Sequence, residues 1–428
     1  MKLNLASLVV GAVMAAAAPA LADLTIPALN YRTGPYAPSG IPYADGFADY
    51  MTLINERDGG VGGEKINVLE CETAYNTEKG VECYEQTKGD GALLYIPQST
   101  GITYQLIPKA SADGIPIWSV AYGRTSAVNG KVFEWVFNLP VTYWDGASVA
   151  VKYAMEQEGG SLEGKKIALV YHNSAYGKEP IRTLEKLAEK HGFDLVLLPV
   201  DHPGQEQKAQ WLQIRRERPD YVMMWGWGVM NQVAIQEAAN IRYPMDHFIG
   251  VWWSGSEADV VPVGDGADGY KSLTFHGAGT DFPALQDIKA KVIDAGKGAG
   301  DGTKWGEVGY NKGVYTAAVV AEAIRHAQET TGHAQITAAE MRDAMETLEV
   351  TEAEFDALGL AGFAPAIHLT CETHSSPRLA AVQQWNAKDK TWTILTDYME
   401  PDFDIVDPLI EEDSMAYAAE NNITPRCE

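Results

Sequence analysis

Apolar positions follow two alternating spacings along this chain. Leu24, Ile26 and Leu29 open an extended run. Gly34-Pro35-Tyr36-Ala37-Pro38-Ser39-Gly40 breaks it, and Phe47, Met51 and Ile54 then recur at helical spacing. The pattern predicts a strand at 24–29, a loop over 30–40 and a helix ending near Asn55. Short strands are predicted at 66–69, 92–96 and 115–120, with helices at 77–88 and 103–112. A second series begins with a helix from Gly146 to Gln157. Strands follow at 167–171, 194–198, 221–225 and 248–251, with helices at 180–190, 207–216 and 232–240 and a glycine-rich passage at 255–269. Short apolar strands alternating with helices call for parallel sheets covered on both faces, so the expected class is α/β with two similar halves. The halves join near 137–141 and 273–279, where long helices at 283–295 and 309–329 take over. Near the end, 379–385 and 391–395 alternate around Asn386-Ala387-Lys388-Asp389-Lys390, which predicts a β-hairpin. A chain crossing between two lobes implies a hinge, and hinged lobes close on a ligand between them. In open α/β sheets that ligand sits beyond the carboxyl ends of the strands, which makes the loop at 30–40 a first candidate wall.

The start of the chain sets the expected compartment. Met1-Lys2, the apolar run over 5–18 and the small-x-small site Ala20-Leu21-Ala22 read as a secretory leader, cleaved to leave a mature chain from about Asp23. The run is too short to span a membrane. With 33 Lys and Arg against 58 Asp and Glu, the formal charge is -25, which repels nucleic acid and anionic lipid. The acidic segment from Asp402 onward reads as a solvated tail. Four cysteines in an oxidising compartment suggest two disulfides. Cys71 and Cys83 form a local pair and Cys371 and Cys427 would tie down the tail, although the residues alone leave the connectivity open. Neither CxxC nor a Cys/His metal spacing occurs, so no metal or cofactor is expected.

Several matches, in order, carry a family resemblance. They are Gly34-Pro35 with Gly40, Gly46 and Ile54-Asn55; Pro97-Gln98-Ser99-Thr100-Gly101; and Gly114-Ile115-Pro116-Ile117. Further on come Ala168-Leu169-Val170 before Tyr176-Gly177, then Pro219-Asp220-Tyr221-Val222 before Trp225-Gly226-Trp227. Last are Leu369-Thr370-Cys371 with His374, and Gln384-Trp385. The whole mature chain thereby resembles the periplasmic solute-binding proteins of ABC transporters, type I, in the group similar to the leucine/isoleucine/valine-binding protein. The resemblance implies two Rossmann-like lobes, 24–139 plus 277–360 and 140–276 plus 361–428. It implies a monomer that delivers a small solute to an inner-membrane permease. A sensor that docks on a receptor would need the same cleft, so transport and sensing stay open.

The resemblance also implies a site. The loop of Gln98, Ser99 and Thr100 offers hydroxyls and backbone N–H groups to a ligand carboxylate, helped by Ala121, Tyr122 and Gly123, as a capped helix N-terminus can. Tyr176 and Trp225 match positions lining the cleft from the second lobe, and Tyr36 and Ser39 are expected to face Trp225 and Trp252 across it. Arg32 and Arg124 are further candidate partners for the carboxylate.

One departure bears on the ligand. Amino-acid binders of the family carry an acidic residue soon after the strand at 248–251 to pair with the ligand ammonium; here Trp252-Trp253 stands there. Burying an unpaired ammonium costs several kcal/mol, so an α-amino acid is disfavoured unless Glu257 or Asp259 reaches the cleft. Trp118, Tyr122, Trp225, Trp227, Trp252 and Trp253 all fall at or beyond strand ends. Such walls suit an aromatic or bulky apolar carboxylate first, a betaine-like quaternary ammonium second and a branched-chain amino acid third.

Catalytic patterns are missing. Gly146-Ala147-Ser148-Val149-Ala150 is no nucleophile elbow, and there is no His-Glu-x-x-His. The segment from Gly159 to Lys165 fits a phosphate loop in outline only, because Lys166 replaces the Ser/Thr; Gly226-Trp227-Gly228 lacks a third glycine. His374 beside Glu372 reads as a structural hydrogen bond. A binding protein and not an enzyme is expected.

Overall fold

A computed structural model describes residues 23–427, so the leader expected over 1–22 lies outside the described residues. In the first lobe, β1 (Leu24–Ala28) pairs in parallel with β2 (Ile66–Glu70). On its other side β1 meets residues 92–96 through isolated parallel bridges, Thr25 to Ala92 and Ala28 to Ile96. Tyr95 in turn bridges Ile117 of β3 (Ile117–Val120), which pairs in parallel with β4 (Val136–Leu139). The strand predicted at 92–96 is therefore extended chain held by single bridges. β4 occupies a stretch read as a linker, and all four of its residues are buried.

The second lobe holds β5 (Lys166–His172), β6 (Asp194–Val200), β7 (Tyr221–Trp225), β8 (Phe248–Gly250) and β9 (Lys271–Thr274), all parallel. After a short antiparallel pair, β10 (Glu349–Val350) with β11 (Ile367–His368), the chain returns as β12 (Ala381–Asn386) and β13 (Thr391–Ile394). These form the expected hairpin, and β12 joins β9 antiparallel, giving the seven-stranded order β13-β12-β9-β8-β7-β5-β6. Every residue of β7 is buried, as a central strand covered on both faces requires.

Three helical segments differ from expectation. The first helix runs Ala37–Arg57, so the run to Gly40 is its first turn; Pro38 is tolerated there because that N–H has no intrahelical partner anyway. This helix packs closely on Val308–Thr331, where a Cβ at Gly46 would stand 2.1 Å from the Tyr310 carbonyl. The helix expected at 283–295 is α-helical only over Pro283–Ile288 and continues as a π-helical turn, Lys289–Ile293. The supposed solvated tail is a helix, Phe403–Asn421, with Val406, Leu409, Ile410 and Ala418 buried. It straddles both lobes: Asp413 pairs with Arg124 at 2.5 Å and Glu412 with Arg182 at 2.5 Å. Its end is secured by the Cys371–Cys427 disulfide, and Cys71–Cys83 forms the second bridge.

Candidate ligand-binding site

The carboxyl ends of the strands of both lobes converge on one cavity. Tyr31, Tyr75, Tyr122 and Tyr143 stand just beyond β1, β2, β3 and β4; Tyr176, Trp227 and Trp253 stand just beyond β5, β7 and β8. With Tyr43, Gln98, Ser99 and Thr100 they line a pocket whose non-atom space, part of it open to solvent, is about 310 Å³. None of these lining residues carries a charge at neutral pH.

The first-lobe wall is built on unusual backbone. Tyr75, Gln98 and Ala121 adopt left-handed φ of 60°, 49° and 53°, conformations that cost about 1–3 kcal/mol each and persist where their surroundings fix them. Gln98 donates its N–H to the Tyr122 hydroxyl at 2.8 Å and its side-chain amide to Asn30. Ser99 caps the helix Thr100–Asp113, its Oγ accepting the Ile102 N–H at 3.4 Å. The amides of Thr100 and Gly101, in the first turn of this helix, have no intrahelical acceptor. Thr100 Oγ1 accepts the Gly123 N–H at 3.1 Å and lies 3.3 Å from the Tyr143 hydroxyl. Behind this wall Gly40 packs so closely that a Cβ would stand 2.4 Å from the Tyr31 ring.

The second-lobe wall is aromatic. The Tyr176 hydroxyl donates to the Gly226 carbonyl at 2.8 Å. Trp227 and Trp253 meet edge to face at 5.3 Å. Both Trp252 and Trp253 donate their indole N–H to the Ala121 carbonyl of the opposite lobe, at 2.9 and 3.0 Å. Lys312, fully buried, donates to the Trp252 carbonyl at 2.6 Å and lies over the Trp253 ring, 4.2 Å from its centroid.

Of the residues expected to line the cleft, Gln98, Ser99, Thr100, Tyr122, Tyr176 and Trp227 do so. Ala121 and Gly123 contribute backbone bonds just behind them. Tyr36 and Ser39 do not face Trp225 and Trp252. Tyr36 packs against Tyr75 with the rings tilted and their centroids 4.5 Å apart, and its hydroxyl bonds His172 Nε2 at 2.8 Å and His202 Nδ1 at 3.0 Å. Ser39 lies in a separate groove beside Gly228 and Asp259. Trp118 and Trp225, still inside their strands, are fully buried in the core, and Trp252 stacks on Tyr143 at 5.8 Å. Arg32 pairs with Asp45 and Glu70 and Arg124 with Asp413, so neither is a cavity cation.

The acidic substitutes do not reach the cavity either. Glu257 accepts the Val308 N–H at 2.9 Å; Asp259 accepts from Asn231 at 3.0 Å and from Ser256. Burial pushes Glu257 up to about 7 and Asp259 up to about 6, while it pulls Lys312 down to about 7. His374 is buried and bonds the Val136 carbonyl at 2.8 Å, a structural role. The sequence reading missed Tyr31, Tyr43, Tyr75 and Tyr143. Three of these follow strand ends and were within reach of the rule applied to the tryptophans.

Comparison with known proteins gives this geometry its context. The profile of the periplasmic binding protein family matches residues 23–390. A Pseudomonas fluorescens group protein described as an ABC transporter permease superposes with a TM-score of 0.87 at 40% identity, covering 95% of this chain and 99% of its own. A Thermus thermophilus branched-chain amino acid ABC transporter protein with bound valine shares the fold at a TM-score of 0.76 and 20% identity, covering 89% and 97%. An R. palustris ABC transporter solute binding protein in complex with benzoate does so at 0.68 and 18%, also covering 89% and 97%. Leu/Ile/Val-binding protein homolog 3 of Brucella melitensis is 27% identical over 202 residues, 47% of this chain and 53% of that relative, so the match spans about half its length. With the profile covering most of the described residues and a cavity between two α/β lobes, this chain belongs to the periplasmic binding protein family, a family of solute binders and not of enzymes.

Proposed function

We propose that this chain is the solute-capturing component of an ABC importer and that its solute is a small aromatic or bulky apolar carboxylate. Exported to the periplasm, it would work as a monomer whose lobes, 24–139 plus 277–360 and 140–276 plus 361–428, close on the solute and present it to an inner-membrane permease. The observation that carries the ligand class is the lining: six tyrosines and two tryptophans, with Gln98, Ser99 and Thr100 at a helix N-terminus and no acidic residue. Aromatic faces hold a flat apolar body, and hydroxyls with helix N–H groups hold a carboxylate. An α-amino acid would leave its ammonium buried without a partner, at a cost of several kcal/mol. Among proteins of this fold, one is described with bound valine and another with benzoate; the neutral wall here favours the second kind. The same rings suit a betaine-like quaternary ammonium by cation–π contact, the second reading. Native mass spectrometry of the protein as purified, followed by a thermal-shift panel of aromatic acids, betaines and amino acids, tests this reading. Aromatic acids are expected to raise the melting temperature most. Greater stabilisation by leucine or valine would overturn it.

A further inference from the structure

Lys312 lies on the first-lobe helix Val308–Thr331, buried and pointing at the Trp252-Trp253 pair of the other lobe. It is not part of the cavity lining, yet its ammonium stands 4.2 Å from the centroid of Trp253, whose ring is. The one hydrogen bond of this ammonium among the described residues goes to the Trp252 carbonyl, and Asp259 and Glu257 act on it only as more distant charges. A ligand packed on Trp253 therefore meets a ring already engaged by a cation. A second cation on that ring would compete for the same π density and be repelled through low-dielectric surroundings, whereas an anion would be attracted.

Resting on the carboxylate reading above, we propose that Lys312 is a specificity-determining residue: its charge, acting through and beside Trp253, biases the cavity toward anionic and against cationic ligands. It also holds Trp253 in place through the bond to its neighbour's carbonyl, so both roles need separating. A purely structural role weakens all ligands alike. A charge role moves anions and cations in opposite directions.

The test compares the full-length mature protein with Lys312→Met, which keeps most of the side-chain length and removes the charge. Dissociation constants for benzoate and benzylammonium, close in shape and opposite in charge, are measured by calorimetry at about pH 6, below the value of about 7 to which burial pulls Lys312, so that its ammonium carries its charge. The ratio of the benzylammonium constant to the benzoate constant is expected to fall roughly tenfold or more in the variant, with benzoate weaker and benzylammonium tighter. Lys312→Gln serves if the methionine variant does not fold, and Lys312→Arg should keep the wild-type ratio if it folds. An unchanged ratio, including no binding of either probe by either protein, overturns the proposal. If the wild type prefers benzylammonium but the ratio still shifts as stated, the carboxylate reading fails while the role of Lys312 stands.

Discussion

The hydroxyl of Tyr36, on the first lobe, lies 2.8 Å from Nε2 of His172 at the end of β5 on the second. Burial, reinforced by the neighbouring His202, pulls the His172 imidazole down to about 3, so it is neutral at ordinary pH and depends on this bond for its ring nitrogen. Tyr36→Phe leaves that buried nitrogen without its partner, at about 1–3 kcal/mol. Because the bond crosses the cleft, the loss is expected to appear as ligand affinity weakened by roughly tenfold. Calorimetry on the variant checks this; wild-type affinity would mean that the bond contributes nothing to closure.

Ser99→Ala removes both the cap of Thr100–Asp113 and a hydroxyl facing the cavity. About 1 kcal/mol of helix stability should go with it. The loss in binding should be larger for benzoate than for benzamide, since only the carboxylate draws fully on this end of the cavity. Equal losses for the two ligands would place the carboxylate elsewhere.

Glu179 links the lobes through its carboxylate, which accepts from the Thr125 N–H at 3.3 Å and hydroxyl at 2.7 Å and from the Tyr104 hydroxyl. Burial pushes it up to about 7, outweighing the lowering by these donors. A carboxyl raised in the fold binds its proton more tightly there than in the unfolded chain. Its contribution is thus complete below the ordinary carboxyl range near 4.5 and fades as pH rises through about 7. Glu179→Gln is expected to flatten the fall of melting temperature between about pH 5 and 8. A variant whose melting temperature falls as steeply as the wild type's over that range contradicts the assignment.

Arg378 reaches the fully buried Asp145 at 2.7 Å and the exposed Asp407 at 2.6 Å, tying the return of the chain before β12 to the helix Tyr143–Gln157. Arg378→Met strands the Asp145 charge in the interior and should cost about 3–5 kcal/mol. Denaturant unfolding measures it, and replacing Asp145 by Asn in the same chain should recover part of the loss.

The second lobe was legible because its central strands are covered on both faces and so read as unbroken apolar runs, as at Tyr221–Trp225. β4 was not, since four residues ending before Pro140 look like a linker until Val136 is seen beside Ile117. The C-terminal helix was hidden by its charge: Val406, Ile410 and Ala418 keep helical spacing, but the acidic residues between them drew the reading toward solvent. At the cavity, position after a strand end pointed to Tyr122, Trp227 and Trp253, all three of which are in its lining. It could not separate Trp252 from Trp253, neighbours in one 3-10 turn of which one faces the core and the other the cavity. Tyr43 sits inside a helix, where only the packing of the two lobes shows what its ring faces.

The most direct measurement is competition between benzoate and leucine for the ligand-free protein, prepared by unfolding and refolding to remove any bound solute, with affinities read by calorimetry. A lining of tyrosine, tryptophan, Gln98, Ser99 and Thr100 with no acidic partner is expected to bind benzoate at least roughly tenfold more tightly than leucine. Leucine binding more tightly than benzoate would contradict it.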